Sequence, residues 1–272
     1  MNKEDYLISK ISSSYVGDDG ALIGNKVYSM DAFFENVHFK REWMTLSQIA
    51  RKAMLVNLSD AIAMNAQPLY ALVTLSLPKS ITTQNIDEIV NAMHKVAKEY
   101  DCEIIGGDTI AGERLDFSIT IISETNNALT RKGLKENDLL AYTGTLGESK
   151  KDLNALFRGE KICDRSKFIE PILRKEFIAK SRKYLRTGMD ISDGLFCDTN
   201  KMLAINKIGF ELLKEINDEV GSSGEEYEML IGFCADNLET LNQLAKETNT
   251  PLTVFAKVAN NKRVFECSGH HF

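Results

Sequence analysis

Short apolar runs alternate along this chain with longer stretches whose apolar residues recur at helical spacing, so strands and helices are expected in alternation. KVYSMDAFF (26–34) reads as a strand, and LSQIARKAMLVNLSDAIAM (46–64) as a helix with Ile49, Ala53, Ala61 and Met64 among its periodic apolar positions. LYALVTLSLP (69–78) predicts a strand closed by Pro78. TTQNIDEIVNAMHKVAKEY (82–100) predicts a helix with Thr82 or Thr83 as N-cap and Ile86, Ile89, Met93, Val96 and Ala97 on its inner face. CEIIGGD (102–108) and LDFSITIISE (115–124) add two strands and complete a β/α first half.

The polar stretch NNALTRKGLKEND (126–138) interrupts that rhythm and sets the expected boundary, with one domain over 1–132 and a second over 133–272. Beyond it come the strand LLAYTG (139–144), the loop TGTLGES (143–149), helices over 148–157 and 174–186, and MDISDGL (189–195) feeding a helix near 196–206. Strands GFELL (209–213) and EYEMLIGF (226–233), the helix DNLETLNQLAKE (236–247) and the strand LTVFAKV (252–258) complete an α+β unit. The predicted class is therefore an α/β domain followed by an α+β domain.

Composition narrows the function classes. With 272 residues, 43% of them hydrophobic and 26% charged, the chain can bury a proper core. Its cysteines, Cys102, Cys163, Cys197, Cys234 and Cys267, are widely spaced without a CxxC, so neither a disulfide framework nor a zinc site is expected, and a reducing cytoplasm fits best. The start MNKEDYLISKISSSY lacks a signal-peptide core, and no apolar run approaches the ~20 residues of a membrane span. A net charge of −6 with dispersed Lys and Arg argues against nucleic acid as a partner. An anionic ligand would need metal ions to neutralise it.

The candidate chemistry lies in the aspartates. Asp18 and Asp19 in VGDDGAL, Asp31 in YSMDAFF, Asp60 in NLSDAIA, Asp108 in IIGGDTI, and Asp190 with Asp193 in MDISDGL all keep apolar or small company. Asp60 is the most telling, because it falls inside an apolar helical pattern where an unpaired carboxylate is expensive to bury. Each motif alone is ordinary turn or cap chemistry, but together they supply the hard oxygen donors that Mg²⁺ shares with substrate phosphates. No GxxxxGK[ST], GxGxxG or protein-kinase signature is present, so any nucleotide machinery is of another kind.

The ordered set VGDDGAL, SMDAFFENVHF, NLSDAIAMNAQP, IIGGDT, ALTRKG, TGTLGES, MDISDGL, GEEYEML and the closing HHF resembles the thiamine-monophosphate kinases, of the ATP-binding family that includes aminoimidazole ribonucleotide synthetase. The resemblance implies a homodimer whose N-terminal sheets pair, with ATP and several Mg²⁺ ions held between the halves of each subunit. It implies metal positions at Asp19, Ser29, Asp31, Asp60, Asp108, Asp190 and Asp193, and ATP contacts from Gly107, Asp108, Arg131 and Ser192. Among these, Asp31, Asp108, Arg131 and Asp190 would carry the chemistry. His38, Glu225 or Glu226, and Phe272 would face thiamine monophosphate.

Several residues depart from the family pattern: Met30 stands where Thr is usual, KKDL follows TGTLGES in place of Ala-Gly, and GEDYEL becomes GEEYEM. The second half is also short. The activity implied is transfer of the ATP γ-phosphoryl group to thiamine monophosphate. A same-fold enzyme activating another acceptor, as the synthetase does, and a nonenzymatic nucleotide-binding module are the alternatives. Since the acceptor phosphate is already ionised near neutral pH, in-line transfer asks for no general base, and no Ser-His-Asp or Cys-His pattern is legible.

Overall fold

The computed structural model describes residues 3–267. Helix α1 (Lys3–Lys10) precedes β1 (Ala21–Ile23) and β2 (Lys26–Phe34), then α2 (Leu46–Ala63), β3 (Gln67–Pro78), α3 (Thr83–Glu99), β4 (Glu103–Gly112) and β5 (Asp116–Glu124). These five strands form one sheet in the order β1-β2-β5-β3-β4. Only β3 and β4 pair in parallel, joined by the crossover through α3, as a parallel pair requires.

The second sheet contains β6 (Leu139–Thr143), β7 (Thr187–Asp190), β8 (Gly209–Leu212), β9 (Met229–Phe233) and β10 (Leu252–Ala259), in the order β7-β9-β6-β10-β8. Around it lie α4 (Glu148–Phe157), α5 (Lys175–Ser181), α6 (Leu195–Asn206), the single turn α7 (Asp218–Gly221) and α8 (Leu238–Glu247). The fold is thus mixed α/β with two sheets.

Burial explains the two kinds of strand pattern. In the first sheet Phe33, Ile119 and Ile121 face α2 and α3, while Tyr28, Met30, Tyr70 and Leu72 on the opposite face are exposed, which produces alternation. The second sheet is covered on both faces. Leu140, Leu230 and Phe255 meet Met202 and Leu203 of α6, and Ala141, Ile231 and Phe233 meet Phe177 of α5 and Leu241 of α8. Its central strands β6 and β9 are accordingly buried throughout, as continuous apolar runs.

Helix α2 is buried on nearly every side because it packs against the first sheet and also reaches β7 and α5 of the second. That position accounts for its near-uniform apolarity, and it brings the polar residues of NLSD between the sheets. Thr45 caps the helix in a reciprocal box: Gln48 N donates to Thr45 Oγ1 at 3.2 Å and Thr45 N donates to Gln48 Oε1 at 2.9 Å. Thr82, one of the two expected caps, does the same for α3 with Asn85.

Three expectations need correction. The strand expected over 226–233 begins only at Met229, because Glu225 (φ 54°) and Tyr227 (φ 52°) take left-handed turns that seat 225–228 against the 191–192 backbone. The helix expected over 174–186 ends as α5 at Ser181 and tightens into a 3-10 turn over Arg182–Tyr184. Cys197 and Cys267 are joined as a disulfide, with Cα atoms 5.5 Å apart. Tertiary packing brings them together: Phe265 stacks between Phe196 and Phe210, and its backbone exchanges hydrogen bonds with the Asn200 side chain, which returns the C-terminal segment along α6.

Among the described residues no helix is long and apolar enough to cross a membrane. Loss of the α2 cap should be felt throughout the molecule. Thr45→Ala is expected to lower stability by about 1 kcal/mol, read as a lower urea midpoint at unchanged slope. An unchanged midpoint would show that the cap contributes nothing.

Candidate active site

Three element ends and the middle of one strand deliver carboxylates to one region. Asp19 lies just before β1, Asp31 at the middle of β2, Asp60 in the last turn of α2, and Asp190 at the end of β7. Asp19, Asp60 and Asp190 each offer a carboxylate oxygen, and these oxygens lie within 4.8 Å of one another. Ser59, beside Asp60 on α2, donates from its hydroxyl to Asp190 Oδ2 at 2.6 Å, a direct bond between the first half of the chain and the second. Asn57, one turn earlier, accepts the Asp31 N–H at 2.8 Å and so ties β2 to the same helix.

Crowding of like charge in a dry place raises the proton affinity of every member. Burial pushes Asp19 up to about 7, with Arg131 pulling it back and Asp190 adding to the rise. Burial likewise carries Asp31 to about 6, helped by the charges of Asp19 and Asp193. Asp190 reaches about 6 through burial, against the Ser59 hydrogen bond and with Asp198 and Asp31 adding. Asp60 is held well above the ordinary carboxylate range by burial and then by Asp31, Asp190 and Asp19. Near neutral pH the metal-free cluster therefore keeps protons that free aspartates would have lost.

Arg131 is the basic group inside this cluster. Its Nη2 and Nε donate to Asp19 Oδ1 at 2.5 and 3.1 Å, and its backbone N–H donates to Asp18 Oδ1 at 2.6 Å. The connection that carries it is polar in sequence yet fixed in place: Leu129 is fully buried, its N–H donates to the Met64 carbonyl, and the Arg131 carbonyl accepts from Asn206 Nδ2. Asp19 Oδ2 and the buried Ser29 hydroxyl have no hydrogen-bond partner. An all-oxygen donor set with orphaned oxygens fits a hard divalent cation.

A second acidic group lies next to the first, along α6. Asp198 is completely buried, and its Oδ2 accepts from Asp193 N at 3.0 Å. Lys201 forms ion pairs with both Asp193 and Asp198. Burial lifts Asp198 to about 7, opposed by Lys201 and assisted by Asp193. Ser192, half-buried in the same turn, accepts the Glu225 N–H at 2.8 Å on its carbonyl, which joins the DISDG and GEEYE turns.

The acids of GEEYE divide by environment. Glu226 is fully buried: its Oε1 accepts from Gly147 N, Ser149 N and Ser223 Oγ, and Lys167 approaches its Oε2, so it orders the TGTLGES loop. Glu225 is partly exposed and accepts from Lys52 Nζ at 2.6 Å, with that ammonium lying 3.9 Å from the centre of the Phe168 ring. His38 accepts the Phe34 N–H on Nδ1 at 2.9 Å and stacks on Phe33. Phe272 lies outside the described residues.

Gly107 and Asp108 are not brought to the cluster. They sit on β4, three strand spacings or roughly 14 Å from β2. Asp108 falls in the cross-strand row of Thr74, Ser118 and Ala32, on the exposed face opposite Asp31. Gly107 (φ 150°) lies so close to β3 that a Cβ would collide with the Val73 carbonyl. Sequence reading missed Ser59, Asn57, Asp198, Lys201 and Lys52. Ser59 and Asn57 lay within a motif already singled out, while Asp198 in the first turn of α6 looks like an acid placed to suit the helix dipole.

Comparison with known proteins gives a consistent picture. A family model described as AIR synthase related protein, N-terminal domain, matches residues 17–125. The thiamine-monophosphate kinase of Buchnera aphidicola subsp. Schizaphis graminum is 31% identical over 261 residues, covering 85% of this chain and 80% of its own length. The crystal structure of thiamine-monophosphate kinase from Stenotrophomonas maltophilia K279a matches with a TM-score of 0.80 at 27% identity, over 91% of this chain and 88% of that one. A structure described as AaThiL complexed with AMPPCP and TMP matches with a TM-score of 0.83 at 24% identity, over 96% and 91% of the two chains, a likeness of fold.

The raised carboxylates give a pH test in metal-free protein. Because their folded values lie above the ordinary 3.8, the folded state holds more protons than the unfolded chain between about pH 4 and 7, and stability falls as pH rises through that window. Asp190→Asn should therefore stabilise the protein by ~1–2 kcal/mol at pH 8 and far less at pH 5. Thermal melts in EDTA at the two pH values check this, and equal or lower stability of the variant at pH 8 would contradict it.

Proposed function

The chain belongs to the thiamine-monophosphate kinase family, and from that premise we propose that its acidic cleft transfers the γ-phosphoryl group of ATP to thiamine monophosphate, giving thiamine diphosphate and ADP. The observation that carries this reading is the convergence of Asp19, Asp60 and Asp190 from separate elements onto one site, with buried oxygens left unpartnered. Magnesium, when bound, supplies the positive charge that lets two polyanions approach. Asp19, Ser29, Asp31, Asp60, Asp190 and Asp193 are the residues that would hold it.

The roles of the remaining residues follow from charge and access. Arg131 offers a fork of donors suited to phosphate oxygens, and Ser192 in the DISDG turn is a further nucleotide contact. Of the acids in GEEYE, Glu225 is the most open to a cationic acceptor, since Glu226 is consumed by the TGTLGES loop and Glu228 by Arg174. The family resemblance adds His38 and Phe272 as further acceptor contacts. In the transfer, the bond from the γ-phosphorus to the ADP oxygen breaks as a bond forms from an acceptor phosphate oxygen. That oxygen already carries negative charge, so no side chain need remove a proton.

We extend the proposal to assembly. Tyr28, Met30, Tyr70, Leu72 and Ile110 leave an apolar patch on the open face of the first sheet, suited to the same face of a second copy. Gly107 and Asp108 would join a nucleotide site through such pairing, being too far from Asp31 within one chain. In this division residues 1–132 bind ATP and Mg²⁺ and dimerise, and 133–272 complete the nucleotide and acceptor site. A cytoplasmic setting fits the substrates.

Incubation with Mg-ATP and thiamine monophosphate should yield thiamine diphosphate by mass, whereas free thiamine should not react because its alcohol lacks the negative charge that a phosphate acceptor brings to the metal site. Asp190→Asn should lower turnover by about 100-fold or more at saturating Mg²⁺. Consumption of ATP with another acceptor only would replace this reading with that of a related synthetase. Sedimentation at micromolar protein should show a dimer, and Met30→Glu should shift it to monomer; a monomeric wild type would refute the pairing.

A further inference from the structure

Both arms of the acidic cleft already contain a cation, and each is the end of a long side chain on a fixed backbone. Arg131 places Nε and Nη2 on Asp19 Oδ1, while its N–H is held by Asp18 and its carbonyl by Asn206. Its main chain therefore stays while its guanidinium can leave. Lys201 is anchored by α6 and pairs its ammonium with Asp193 and Asp198; the side chain is 37% exposed, so it has room to swing away. Asp19 and Asp193 are among the residues assigned above to metal.

A guanidinium or ammonium on a carboxylate oxygen and a divalent ion bound by the same carboxylate repel each other, and the low-polarity surroundings strengthen that repulsion. We propose that Arg131 and Lys201 are tethered counter-cations: they neutralise the cleft before nucleotide arrives and yield their carboxylates to divalent ions when phosphate oxygens give them new partners. The inference rests on the proposed metal site but not on the identity of the acceptor. Its consequence is that the empty protein binds divalent ions weakly. The same two side chains would then make ion binding depend on the nucleotide, beyond what bridging by the ion itself provides.

The test is Mn²⁺ binding to nucleotide-free protein, followed by electron paramagnetic resonance of the free ion, with no turnover involved. Arg131→Gln and Lys201→Gln should each tighten Mn²⁺ by about ten-fold, the size of effect a neighbouring charge has on a carboxylate's affinity for a proton. Arg131→Lys, which keeps the charge, should stay close to wild type. Unchanged or weaker binding in the Gln variants, or equal tightening in Arg131→Lys, overturns the proposal. Removing Arg131 leaves a buried carboxylate unpaired and can compromise folding, so Lys201→Gln stands as an independent arm. If the wild type makes no thiamine diphosphate while the Gln variants still bind Mn²⁺ more tightly, the proposed function fails and this inference survives.

Discussion

Carboxylates cannot be gathered in a water-poor cleft without a compensating charge, and that constraint governs the middle of this molecule. Asp19, Asp60 and Asp190 bring three element ends within a few ångströms, and the raised proton affinities of the group record the cost of keeping them there. Protons, Arg131 and Lys201 supply the balance in the metal-free protein. A folded state optimised for stability alone would not gather these acids, so their convergence marks a site arranged for a ligand.

Helix α2 makes that gathering possible. Packed against both sheets, it is one of the few elements that touch each half of the chain, and its NLSD segment hands Asn57 to Asp31, Ser59 to Asp190 and Asp60 to the cluster. Two turns earlier it holds Lys52 against Glu225 and so fixes the turn that backs the DISDG segment. A single rigid rod thereby sets the spacing of groups from four separate elements, the kind of support that catalytic geometry needs.

The second half adds a scaffold of buried ion pairs set behind the cleft. Glu228 takes a two-point contact from Arg174 and a further one from Lys167, and Glu226 accepts from the loop backbone at Gly147 and Ser149. Burial alone would raise Glu228, but these partners hold it below the ordinary carboxylate range. Glu228 stays ionised because Arg174 and Lys167 are buried beside it, whereas the cluster acids are paired with Arg131 and Lys201, whose side chains are more open. The difference separates structural carboxylates from candidate ligand carboxylates.

Local chemistry was legible from the chain itself: β2 and α4 fall on their expected residues, α2 starts where its periodicity places it and α3 where its cap signal does, and the aspartates of the quoted motifs were already conspicuous by their apolar neighbours. Periodicity and capping act over a few residues, so sequence alone determines them. It also carried the family resemblance, through the order of its motifs. Only tertiary structure decided that Asp108 lies away from Asp31, that Glu226 serves the loop while Glu225 remains partly open, that Cys197 meets Cys267, and that Arg131 and Lys201 already occupy the acids. Those outcomes depend on which residues, far apart in sequence, compete for one buried volume and one charge balance, and no local pattern encodes the result of that competition.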